Sequence, residues 1–235
     1  ADFTGVNLES INLKDSIVTA RELSKAVGFN NSLHTIQSQV TEAKRDRTLL
    51  ARAILFLEIP DRTEAFGWSG MDLQGHDFSG QDLSGQIFIG TDLRGVDFSG
   101  ADLTGADLRT ARLNGARIVG TNLEDASLFL ADLTGAVIVG SNFHRADLTG
   151  VWLESARIVD TMFTGAVLDL VFLDGAFISN VNFTEADLKG EDFSGVVSLN
   201  AAFYNTSLQR VDFSGLDLET SDLRQADLTG ANLFG

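Results

Sequence analysis

From Met71 to Gly235 the sequence advances in steps of five: MDLQG, HDFSG, QDLSG, QIFIG, TDLRG, VDFSG and onward to ADLTG, ANLFG. The third residue of these thirty-three pentads is Leu, Ile or Phe in thirty-two, and only Ser198 breaks the column. A small residue such as Ala101, Ala136 or Ala231 commonly opens the pentad, and 19 of the 23 glycines close one, with Gly5 and Gly70 in the same phase. A period of five fits neither the 3.6 of an amphipathic helix, the 2 of a lone strand nor the 3.5 of a coiled coil. In a locally extended chain, residues two apart share a face, so the first and third slots can both point inward. The polar second and fourth slots and the glycine then turn the chain toward the next pair. Such a chain winds around its own apolar axis, each coil touching only its neighbours. A buried Leu or Phe is worth about 1.5–3 kcal/mol before conformational entropy, so this column can hold a rod together without cysteine or metal. The column is therefore assigned to structure alone.

These residues resemble the pentapeptide repeat proteins, whose consensus is Ala-(Asp/Asn)-Leu-X-X. The match covers residues 71–235 and, as ADFTG, VNLES and INLKD, residues 1–15. The resemblance implies an all-β solenoid, a right-handed quadrilateral β-helix with four pentads per coil. Residues twenty apart would then stack about 4.8 Å from one another. It also implies about eight coils over residues 68–235 and one amino-terminal coil over 1–18.

Between them, residues 19–67 carry two glycines and no pentads. Thr19 followed by Glu22 has capping-box spacing, and Ser32 is a second cap ahead of Leu33, Ile36, Val40, Ala43, Leu50, Ile54 and Leu57. Helices are expected at about 19–28 and 32–58, the first stopped by Gly28 and the second near Pro60. An open solenoid end invites aggregation unless covered, so this segment is expected to cap the first coil or protrude from it. The basic cluster Lys44, Arg45, Arg47 and Arg52 leaves partner docking as the other reading.

Seventeen basic against 33 acidic residues give a net charge of −16. Residues 19–67 hold seven basic and six acidic side chains, so the acidity belongs to the repeats. That balance excludes direct nucleic-acid binding. No eighteen-residue apolar run is present, so no membrane insertion is expected, and the start at Ala1 carries no readable targeting signal. The absence of cysteine removes disulfide and thiolate chemistry. His34, His76 and His144 form no ligand pair and are expected at the surface or in packing. No phosphate-binding glycine motif occurs. The expectation is a chain that is not an enzyme, with no cofactor and no metal.

Fifteen aspartates occupy the second slot, and on a twenty-residue coil Asp72 stacks on Asp92, Asp77 on Asp97 and Asp82 on Asp102. Three readings follow: a cation ladder, which lacks the oxygen-rich calcium motif; mimicry of DNA phosphates, as in family members that bind DNA gyrase and protect it from quinolones; and hydrogen bonding to backbone at each corner. The third is preferred.

Departures from the repeat carry more information. Over residues 117–199 outward slots become apolar, and stacking at twenty places Val119, Val139 and Val159 in one column with Leu199 further along. Beside it run Val137, Phe177 and Val197, and on the adjoining face Trp152 lies over Phe172, with Arg117 and Arg157 interleaved. A contiguous patch of this kind marks an interface, and Trp, Phe and Arg are enriched at binding centres. The stripe is expected to bind another protein, of unknown identity, or a second copy of the chain. Glu191 stands in a slot otherwise given to Ala, where a buried carboxylate must be paired, protonated or rotated out. A bulge at Ser198 would bring Leu199 into the core instead. The functional reading is a non-catalytic repeat scaffold for protein–protein interaction; the alternative is a DNA-mimicking, gyrase-binding protein of the quinolone-resistance type.

Overall fold

A computed structural model of the chain describes residues 67–234, which lie within one compact unit, Ala65–Gly235. The amino-terminal coil expected at 1–18, the helices expected at 19–28 and 32–58 with their capping or docking role, and the Lys44, Arg45, Arg47 and Arg52 cluster all lie outside these residues. No helix is present among the described residues, and the chain there is an all-β solenoid.

The architecture follows from where each pentad sends its five amide protons. In Ala101–Gly105 the first amide donates to the carbonyl of Phe98, the previous centre, at 2.9 Å and closes a turn. The second, Asp102, donates one coil back to Gln81 at 2.9 Å, and the third, Leu103, one coil forward to Asn122 at 2.7 Å. Gly105 also donates forward, to Glu124 at 2.8 Å. Only the fourth amide, of Thr104, has no coil-to-coil acceptor, and the Asp102 carboxylate accepts it at 3.0 Å. The pentad thereby meets the requirement that buried backbone groups be paired.

This pattern recurs with a circumference of twenty. Parallel bridges join Asp72 to Asp92, Asp77 to Asp97 and Asp82 to Asp102, and continue to Asp212 with Asn232. Four pentads therefore make one turn and define four faces, whose first pentads begin at residues 71, 76, 81 and 86. On most faces pairing is confined to the second slot. On the second face it lengthens into a five-stranded parallel sheet of β1 (Arg117–Val119), β2 (Val137–Val139), β3 (Arg157–Val159), β4 (Phe177–Asn182) and β5 (Ser198–Ala202). There the fourth slot is mostly Val, and a β-branched residue favours the extended backbone that continues the ladder.

First and third slots fill the interior. From Phe88 to Phe213 nearly every centre is buried, and Phe143, Phe163, Phe183 and Phe203 form a stack with successive centroids 4.8, 5.3 and 5.4 Å apart. Trp68 packs against the first described coil, its ring 5.0 Å from Phe78 and 4.8 Å from Phe88. Hydroxyls that enter first slots are satisfied by backbone carbonyls, as Thr121 to Phe98 at 2.7 Å and Thr206 to Phe183 at 2.8 Å. The fifth residue takes a left-handed conformation at every corner from Gly70 to Arg210 except Gly195 and Asn200. Glycine adopts it without strain, whereas Leu130 holds φ 56° while lying directly over Gly150 of the next coil.

The two exceptional corners bracket a slide of the chain. Phe177 pairs with Ser198 and Ile178 with Leu199, an offset of twenty-one, before Val181 with Ala201 restores twenty. Leu199 is buried at 5% exposure and occupies the centre that the period of five assigns to Ser198. Leu199 is thus no part of an outward column, which corrects that element of the expected stripe. The expected bulge at Ser198 is present. The cause is apolar burial: a one-residue shift places a leucine rather than a serine hydroxyl in the core. The close approach it forces appears at Gly195, where any added Cβ would meet the backbone and carboxylate of Asp174. Leu199→Ala is expected to cost about 2–4 kcal/mol in urea unfolding while Ser198→Ala changes stability by less than about 1 kcal/mol; equal effects would contradict the slide.

Candidate functional site

The second-slot aspartates have a local task. All fifteen, from Asp72 to Asp227, accept the amide two residues on, at 2.8 to 3.4 Å. Asn122, Asn142, Asn182 and Asn232 do the same. The hydrogen bonds of Ser79 and Ser84 hold the Asp77 and Asp82 carboxyls below their ordinary range, and the Arg224 side chain draws Asp222 down to about 2. Arg94, Arg109 and Arg224 each grip the aspartate two residues before them, at 2.6 to 2.7 Å. Among the described residues no group of His, Asp and Glu is placed to hold a metal ion. Nδ1 of His144 donates to the Thr164 carbonyl at 2.8 Å, while the His76 ring stacks on Phe78.

The stacking expected of the outward stripe is present over β1 to β4. One column reads Arg117, Val137, Arg157, Phe177 and the other Val119, Val139, Val159, Ser179, each residue in register with the next. The valines and Phe177 are half-buried and both arginines are exposed. Val197, beyond them, is 71% exposed. Trp152 pairs with Phe172 on the adjoining face, their rings 6.4 Å apart. The Arg157 guanidinium lies over Phe177, 5.1 Å from its centroid, and makes no ion pair with any described residue. Arg117 instead leans back to Ser99 at 3.1 Å and Asp97 at 3.6 Å.

A second pattern runs along the chain rather than down the columns. Six consecutive pentads, residues 151–180, place Trp152, Arg157, Met162, Val167, Phe172 and Phe177 in the slot most often held by Asp or Asn. Met162 and Val167 are 46% and 42% exposed. The apolar surface therefore continues past the stripe as a belt, densest where the first and second faces meet. Reading column by column misses this run, although its signal is plain in the second letter of each pentad.

Glu191 is 4% exposed, and its carboxylate accepts the Leu170 amide at 2.8 Å. The buried acid is thus paired, as its slot requires, with backbone of the preceding coil. Beside it, burial and the neighbouring Asp187 raise the Asp169 carboxyl above its ordinary value.

A repeat of this register identifies the chain, and the comparisons agree. The chain belongs to the pentapeptide repeat family. The family model for pentapeptide repeats matches residues 69–197 and 200–235 in overlapping segments. No curated protein matches the sequence. Among solved structures the chain is similar to a trypsin-treated variant of QnrB1, a plasmid-mediated fluoroquinolone resistance protein, at 19% identity over 73% of this chain and 84% of that one, with a TM-score of 0.35. It is similar to HetL, a pentapeptide repeat protein involved in heterocyst differentiation regulation in the cyanobacterium Nostoc sp. strain PCC 7120, at 23% identity over 71% and 92% of the two chains, TM-score 0.32. It is also similar to Rfr23 from the cyanobacterium Cyanothece 51142, at 26% identity over 50% and 88%, TM-score 0.38.

Two predictions follow from the carboxylates of this repeat rod. A carboxyl held below its ordinary 3.8, as at Asp77, Asp82 and Asp222, stabilises the fold fully above pH about 4, and that contribution is lost as pH falls toward 2. Asp169, raised by burial, acts in the opposite sense, so Asp169→Asn is expected to raise the thermal midpoint at pH 7 and to lose that gain by pH 3. A gain independent of pH would contradict the assignment. Separately, the Leu170 amide is expected to exchange with deuterium faster in Glu191→Ala than in wild type, while the Gly150 amide, bonded to the Asp169 carbonyl at 2.8 Å, is unchanged.

Proposed function

We propose that this pentapeptide repeat protein is a non-catalytic scaffold that binds another protein through the sheet of its second face and the adjoining Trp152 and Phe172. The observation that carries the reading is the register of β1 to β4, which aligns Val137, Arg157 and Phe177 beside Val119, Val139 and Val159 as one surface. Elsewhere those slots hold mostly aspartate, asparagine, serine, threonine and other polar residues. Here a β-branched and aromatic surface with interleaved arginine replaces them, the composition of an interface centre. The filled core supports the rest of the reading, since leucine and phenylalanine occupy the interior of the coils where a cleft would have to open.

A photo-crosslinking residue at Val139 tests it in the source cells. Adducts are expected from Val139 and not from Ser84 on the third face; equal yields from both positions would remove the support for the stripe. Light scattering on wild type and on Val139→Lys with Trp152→Ser reports whether a second copy is the occupant, through a mass that falls in the double variant.

The alternative, a DNA-mimicking protein that binds gyrase, is favoured by the carboxylates of Asp77 over Asp97 and Asp82 over Asp102. Against it weigh the interruption of that pattern across residues 151–180 and the corner bonds that already employ each of these aspartates. The reading of gyrase supercoiling that sinks this alternative is one left unchanged by added protein.

A further inference from the structure

We propose that the second face seats a short extended segment of another protein, one that sets a carboxylate against Arg157 and aliphatic side chains against Val137, Val139 and Val159. This rests on the scaffold reading above and names the chemistry of its partner.

Size argues for a segment rather than a second copy. The outward columns of β1 to β4 run over four strands about 4.8 Å apart and three paired residues wide, and so span roughly 20 Å by 10 Å. Even doubled by Trp152 and Phe172, that is well short of the roughly 800 Å² per partner that a stable dimer buries. A second copy would also bring a second net charge of −16. An extended segment of six or seven residues is about 20 Å long and matches the sheet.

Charge argues for the carboxylate. Arg94, Arg109, Arg145 and Arg224 are each committed to an aspartate of this chain at 2.6 to 2.7 Å. Arg157 is the contrast: exposed, without an ion pair among described residues, and held over the Phe177 ring. Stacking on an aromatic ring fixes the guanidinium in place, and its edge N–H groups match a carboxylate with two parallel hydrogen bonds. Its neighbours in register, Val137 on one side and Phe177 on the other, make the surround apolar, which strengthens such a contact. The nearest second cation in the column, Arg117, is two coils away, about 10 Å.

Panning a displayed random dodecapeptide library against the immobilised full chain tests the proposal, with the selected peptides measured by fluorescence polarisation. Peptides with an acidic residue beside Val, Ile or Leu are expected, and Arg157→Gln is expected to weaken them at least tenfold, with Arg157→Lys in between. Affinity is expected to fall as NaCl rises from 0.05 to 0.5 M, roughly as ion-pair screening requires. Thermal unfolding of each variant establishes that it is folded. Loss of binding in Val139→Lys but not in Arg157→Gln would overturn the carboxylate and leave the apolar stripe standing. Indifference to both variants, or no enriched peptide, would overturn both readings. A dimer in light scattering that Val139→Lys abolishes would put a second copy on this face and overturn the peptide.

Discussion

The fourth amide of each pentad is the group on which this rod depends. Four of the five amides find carbonyls in a neighbouring coil or in the turn before them, and geometry leaves the fourth to be met by something else. A short carboxylate or carboxamide two residues earlier meets it, as Asp102 does for Thr104. The acidity of the chain is in large part the outcome of this requirement. Net charge then follows from backbone accounting, and a partner for the charge need not be invoked to explain it.

The same requirement explains why the second face differs. With Val at the fourth slot, pairing extends from Val119 through Val139 to Val159, and the aspartate is replaced without loss of order. Freed from corner duty, the second slot can carry Arg117, Val137, Arg157 and Phe177. On this face Val at the fourth slot goes with a continuous sheet, whereas Trp152, Met162, Val167 and Phe172 on the other faces keep single bridges. Surface chemistry and folding are linked through that choice.

Much of this was legible in the letters. A period of five, a column of Leu, Ile and Phe, and glycine at the turn made a chain winding around an apolar axis legible; the circumference of twenty came from the resemblance to the pentapeptide repeat family, and the stacking of Val119, Val139 and Val159 followed by counting on it. The burial of Leu199 needed more than counting: the offset between Phe177 and Ser198 arises from competition between two neighbours for one cavity, which a strict period cannot express. The pairing of Glu191 with the Leu170 amide was equally out of reach, since it joins residues twenty-one apart through a side chain. Arg157 was visible as a charge among valines, but its seat over Phe177 emerges only when neighbouring coils are brought into register.

The slide between Gly195 and Val181's partner Ala201 behaves like two opposite dislocations in a crystal: one extra residue enters the coil before Leu199, and one is withdrawn directly after it. Because the two cancel within a single edge, layers beyond them keep their phase, and Asp212 still meets Asn232. Imperfections in such a lattice do not propagate. Whole layers could therefore be gained or shed in units of twenty while the remaining ones stay in step, which makes the length of the rod a quantity that can vary independently of the surface it displays.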